Sequence, residues 1–173
     1  FERGDRVALT SQLLEHLRVL LLADVHSNLD ALQSVMRDAE ERGPVDAVWV
    51  LGDLVGYGPD PSACLKVLRE AGAVCVAGNH DVAAIGAVPT DAFNEYAAVA
   101  SVWTSAHLTE EDADYLGGLP VRLELEGCTL VHGSPRDPIW EYVIGGEEVE
   151  ESFKLLTTPL CLVGHSHLAT MFE

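Results

Sequence analysis

A chain of 173 residues, 48% of them apolar, is long enough for one domain with a sizeable core and too hydrophobic to stay disordered. Its formal charge of −18 excludes a broad cationic platform for nucleic acid or an anionic membrane surface, but not a small phosphorylated substrate whose charge is met by bound cations. No apolar run reaches the roughly 20 residues of a membrane span, and Cys64, Cys75, Cys128 and Cys161 are too scattered for a zinc ribbon or disulfide frame, which places the chain in a reducing, cytoplasmic setting.

Residues 1–16 read as an N-terminal extension, with an apolar stripe (Val7, Leu9, Leu13, Leu14) that suits a short helix; the domain proper runs over 17–173. The chain opens on Phe1 and closes at Glu173 soon after its last strand, so C-terminal strands are expected to be missing. Leu17 to Ala23 is a continuous apolar run, the pattern of a strand buried on both faces, and it stops at Asp24. Asn28 or Asp30 then caps a helix to about Arg42, which Gly43-Pro44 ends. A second strand, Asp46 to Leu51, leads into Gly52-Asp53-Leu54-Val55-Gly56-Tyr57-Gly58. Asp60-Pro61 starts the next helix and Gly72 closes it. Strand three, Ala73 to Ala77, runs into Gly78-Asn79-His80-Asp81, with one or two helical turns over 79–86.

Phe93 to His107 is predicted as a helix with Phe93, Ala97, Ala100 and Trp103 or Thr104 along one stripe, and Thr109 begins an acidic-headed one. Val121, Leu123 and Leu125 alternate with charged residues as a half-solvated strand, which pairs with Cys128 to Val131 in a hairpin. A helix over 146–156 and a strand over Leu160 to Val163 complete the series. The order is βαβ units followed by a hairpin, which fits two stacked sheets better than one doubly wound sheet.

The strand ends carry Asp24 with His26, Asp53, Asn79 with His80, His132, and His165 with His167. Ligands in α/β proteins bind at such ends, and glycines beside them leave room for something held closely. Carboxylate, imidazole and amide groups in this mixture suit a pair of divalent metals, which clamp attacking and leaving oxygens in displacement at phosphorus. His16 and His107 stand apart and read as ordinary surface or core histidines.

Asp-Val-His, Gly-Asp-Leu-Val-Gly-Tyr-Gly, Gly-Asn-His-Asp, Val-His-Gly and Gly-His-Ser-His, in that order, resemble the calcineurin-like metallophosphoesterases, in particular their small bacterial and archaeal phosphodiesterases. The resemblance runs from Leu17 to His167; Ser166 stands where Thr is common. It implies a four-layer α/β/β/α sandwich of two mixed sheets. It also implies that Asp24, His26 and His167 hold one metal, that Asn79, His132 and His165 hold a second, and that Asp53 bridges them. His80 would be the general acid or phosphate contact, oriented by Asp81, with Asn79 beside it at the substrate. The implied reaction is in-line attack of a metal-bridging hydroxide on a phosphodiester. The implied cofactors are two transition metal ions, manganese first, with iron, zinc or nickel as alternatives. A phosphomonoesterase acting on a phosphoprotein or nucleotide, and a non-catalytic scaffold with this fold, remain the alternatives. A nucleotide-binding or redox α/β protein is disfavoured because no G-x-G-x-x-G or Walker loop follows the first strand.

Overall fold

A computed structural model describes residues 17–125 and 127–173; the helix expected within residues 5–16, and His16, lie outside them. Among the described residues the elements are β1 (Val19–Leu22), α1 (Leu29–Glu41), β2 (Ala47–Leu51), α2 (Pro61–Glu70), β3 (Val74–Val76), α3 (Asn79–Ala84), a 3-10 turn (Thr90–Ala92), α4 (Glu95–His107), α5 (Glu110–Gly117), β4 (Arg122–Leu125), β5 (Cys128–Val131), α6 (Gly146–Leu155) and β6 (Leu160–Leu162). They form two three-stranded sheets, ordered β1-β2-β3 and β4-β5-β6. The first is wholly parallel and the second mixed, whereas two mixed sheets were expected.

The central strand β2 sorts its side chains by the two-residue period of an extended chain. Val48 and Val50 face α1 and α2 through Leu32, Cys64, Leu65 and Leu68. Trp49 and Leu51 face the second sheet through Leu130, with Leu123 and Leu162 beside it. The result is an α/β sandwich in which the two sheets share an apolar seam. In β4, Leu123 and Leu125 enter that seam while Arg122 and Glu124 turn outward and pair at 2.8 Å.

Helix starts follow from local chemistry. Asn28 Oδ1 accepts from the Ala31 N–H at 3.1 Å, and Thr109 closes a reciprocal cap with Asp112. Pro61 takes the first position of α2, although the Asp60 side chain makes no capping bond there.

Two expectations are corrected. The strand covered on both faces is β2, not β1. Among the described residues β1 is the edge of its sheet, and Leu21 is 42% exposed while Val19 packs into the seam. Helix α4 begins at Glu95, capped by Asn94 through the Ala97 N–H, and buries Ala97, Ser101 and Thr104. Phe93 lies ahead of the helix, and Trp103 is largely outside the core. No described helix is long and apolar enough to cross a membrane.

Candidate metal centre

The loops that leave β1, β2, β3, β5 and β6 meet at one edge of the sandwich. Backbone bonds lace them together: Asp24 N–H donates to Gly52 O (3.2 Å), His26 N–H to Asp53 O (2.9 Å) and Gly164 N–H to His132 O (2.9 Å). Seven non-glycine residues among those described have left-handed φ: Asp24, His26, Ser27, Asp53, Tyr57, His165 and His167. Five of the seven are residues that the sequence pattern picks out as ligands. L-residues adopt this conformation at a cost, and it persists where surrounding structure imposes it. Strain is thus concentrated where side chains must turn inward from a strand end.

These side chains form three overlapping groups in which ligand atoms lie within 4.8 Å of one another: Asp24, His26 and His167; His26, Asp53 and His80; Asp53, His132 and His165. Asn79 joins the third, its Oδ1 lying 2.9 Å from His132 Nε2. Asp53 divides its two oxygens. Oδ1 accepts the His80 N–H at 2.9 Å, while Oδ2 sits 3.7 Å from His26 Nε2 and 3.3 Å from His132 Nε2. Oδ2 therefore lies between the two outer groups.

The histidine tautomers follow from their carbonyl partners, since a carbonyl accepts only. His132 Nδ1 faces Leu51 O at 2.8 Å, His165 Nε2 faces Trp140 O at 3.1 Å, and His26 Nδ1 faces Val55 O at 3.2 Å. In the neutral ring each of these nitrogens carries the proton, which leaves the other, inward-facing nitrogen with its lone pair. His132 Nε2 and His165 Nδ1 are then 3.1 Å apart, and His26 Nε2 is 3.3 Å from His167 Nε2. Between His132 and His165, two lone pairs at that separation repel unless a proton or a cation lies between them. Metal-binding histidines are oriented in this way, by a carbonyl on the far nitrogen. The donor set fits divalent cations.

The electrostatics agree. Burial favours the neutral carboxyl of Asp53, but His132, His80 and His26 outweigh it and hold the group below the usual carboxylate range. Burial likewise disfavours charge on His132, yet the hydrogen bond and charge of Asp53 raise its imidazolium to about 9. In the protein alone, positive charge at His132 is favoured; a cation meets the same demand.

The pattern-derived residues Asp24, His26, Asp53, Asn79, His80, His132, His165 and His167 are therefore brought together. The expected pairing of His80 with Asp81 is not made. Asp81 is fully buried and accepts from the Val55 N–H (3.0 Å) and the Gly78 N–H (2.9 Å), joining the loops after β2 and β3. Among the described residues His80 Nδ1 has no hydrogen-bond partner; it lies against Gly56, where a Cβ would collide with it. Burial, with no carboxylate hydrogen bond to offset it, pushes His80 down to about 4, so its neutral form prevails. Adjacency in sequence misled here: on a helical first turn, neighbouring side chains diverge.

The glycines also serve differently from expectation. A Cβ at Gly78 would strike Asp53, and one at Gly52 would strike His132, so the space they leave is filled by side chains of the cluster itself. The pattern gave no sign of Phe93, whose ring lies 4.7 Å from His80, nor of the Trp140 carbonyl that orients His165. A backbone acceptor carries no residue-type signal.

Residues 17–169 match the family model described as calcineurin-like phosphoesterase. An uncharacterized protein of Methanocaldococcus jannaschii is 36% identical over 87% of this chain and 62% of its own length. A symmetrical bis(5'-nucleosyl)-tetraphosphatase of Vibrio cholerae is 28% identical over 80% of this chain and 52% of its own. The crystal structure of a metallophosphoesterase from Sphaerobacter thermophilus aligns with a TM-score of 0.77 at 47% identity, over 88% of this chain and 61% of that one. This chain spans between about half and three fifths of the length of these proteins.

Proposed function

We infer the reaction from one premise: the chain belongs to the calcineurin-like phosphoesterase family, whose model covers residues 17–169. The protein hydrolyses a phosphodiester of a small compound with the help of two divalent metal ions. The observation that carries this reading is Asp53 Oδ2, placed between His26 and His132 while Oδ1 is held by the His80 N–H. A carboxylate oxygen so positioned is shared by two ligand groups, not owned by one.

Asp24, His26 and His167 would hold one cation, Asn79, His132 and His165 the other, with Asp53 common to both. This mixture of imidazole nitrogen and oxygen donors favours manganese, iron, zinc or nickel over magnesium or calcium. When bound, such cations supply charge for the phosphoryl oxygens and a hydroxide nucleophile at neutral pH.

The chain's own groups do the rest. The carbonyls of Leu51, Val55 and Trp140 fix ring orientation before a ligand arrives. Asp53 is buried, so solvent screens its charge little. His80 presents Nε2 to the substrate, because Nδ1 is closed off by Gly56. Since burial keeps this imidazole neutral, its service as an acid to the leaving oxygen draws on the negative charge of the phosphate itself. The likeness to the tetraphosphatase supports a small phosphorylated substrate over a macromolecular partner.

Metal analysis of protein purified without chelator should find about two transition metals per chain. With manganese added, bis(4-nitrophenyl) phosphate should turn over faster than 4-nitrophenyl phosphate. Turnover of the monoester alone would reassign the substrate. Two bound metals with no turnover of either would leave a binding scaffold.

A further inference from the structure

Rings encircle the ligand cluster. The Tyr57 ring lies edge-on to His26 at 4.9 Å and 4.6 Å from His80. His80 continues to Phe93 at 4.7 Å, and Phe93 to Trp140 at 5.2 Å. On the other side, Tyr142 stacks on His165 at 3.8 Å, with the two ring planes within 19° of parallel. The arc draws on separate segments: the loop after β2, the residue following the 3-10 turn, and the loop between β5 and α6. Apolar rings that serve only to fill a core would be buried. Here Tyr57 is 47% and Tyr142 52% exposed, so each touches a candidate ligand ring and keeps part of its surface open.

Tyr57 is also the one bulky aromatic among the described residues with left-handed φ, at +56°. Asp and His visit that region with modest cost, whereas a bulky side chain there is a genuine outlier and marks a position that the surrounding structure imposes. Gly56 and Gly58 flank it, and a Cβ on Gly58 would meet the backbone of His26 and Ser27, so the loop is pressed against the ligand-bearing segment.

Beside Tyr57 opens a groove of about 570 Å³, bordered by Asp24, His26, Asn28, Asp30 and Asp60. Among the described residues no lysine or arginine lines it. Asp30 and Asp60 at its border accept hydroxyl groups and repel further phosphates.

Taking the phosphodiesterase reading as its basis, we propose that this arc is a stacking subsite for the organic arm of the ester, and that the arm is a nucleoside carrying a single phosphate. Bases stack on aromatic side chains whatever their identity, because every base offers a π-face. Sugar hydroxyls find acceptors in the acidic border. The only phosphate that the site can neutralise is the one at the metal ligands. Longer phosphate chains would run into the carboxylate-lined groove and are disfavoured.

The test uses two diesters with one leaving group, thymidine 5'-(4-nitrophenyl phosphate) and methyl 4-nitrophenyl phosphate, on the manganese-loaded protein. The nucleoside ester should show a KM roughly tenfold or more lower, the size expected for one stacked base. Tyr57→Leu and, separately, Tyr142→Leu should pull the kcat/KM ratio of the two esters toward one, while Tyr57→Phe keeps it. Calorimetry with thymidine 5'-monophosphate and methyl phosphate reads the same preference without turnover. Equal affinities for the two, or a ratio untouched in both leucine variants, would overturn the subsite. Selective binding of the nucleotide with neither diester hydrolysed would sustain the subsite and refute the phosphodiesterase reading instead.

Discussion

The two outer groups of candidate ligands are built to different standards. Asp53, His132 and His165 are buried, at 2, 0 and 7% exposed, and both histidines are aimed by backbone carbonyls. Asp24 and His26 are only partly covered, and the side chain of His167 is 57% exposed, with His26 and Asp24 as its polar neighbours at 3.3 and 3.4 Å. A ligand held in place beforehand loses little freedom on binding, whereas one that must be ordered by the ion gives part of the interaction back as entropy. The buried group should therefore hold its cation tightly, and the open group should exchange.

Breaking the element common to both groups gives the largest effect. Asp53→Ala should lose both metals and drop turnover to background; retention of two metals by elemental analysis would refute the shared carboxylate. His80→Ala comes next, with a fall of about 10²–10⁴ in kcat at unchanged metal content, steepest for esters with poor leaving groups. Parent rates on an alkyl diester would remove His80 from the acid role.

The comparison itself is sharpened by His167→Ala, which should weaken one metal by about 10- to 100-fold and regain activity in excess manganese. His132→Ala should show no such recovery, since its loss leaves Asp53 without its main electrostatic partner. If both variants recover alike, the two groups are equivalent and the contrast fails. Smallest at the site is Leu65→Ala, in the core between α2 and the first sheet. It should cost about 2–5 kcal/mol in denaturant unfolding, yet leave the metal count at that of the parent.

How much was legible beforehand differs by kind of information. Element order emerged from periodicity, because burial imposes a two-residue period on strands and a 3.6-residue period on helices. The apolar run at Leu17 to Ala23 reads like a central strand, and among the described residues it is an edge, because the two look alike until their neighbours are known. Phe93 fell outside α4 because Asn94 supplies a better cap than a continued helix does. The pairing of His80 with Asp81 failed for a similar reason: the Asp81 oxygens are claimed by the Val55 and Gly78 N–H groups, which burial would otherwise leave unsatisfied.

Residue type and position along the chain were enough to nominate Asp24, His26, Asp53, Asn79, His80, His132, His165 and His167, since polar groups at the ends of apolar strands have one common edge to share. What the chain alone could not decide is direction. Which ring nitrogen turns inward depends on the carbonyls of Leu51, Val55 and Trp140, and which Asp53 oxygen is shared depends on the His80 N–H. Backbone acceptors and donors look the same at every residue of a sequence, and only folding brings one of them within 3 Å or so of a particular side chain.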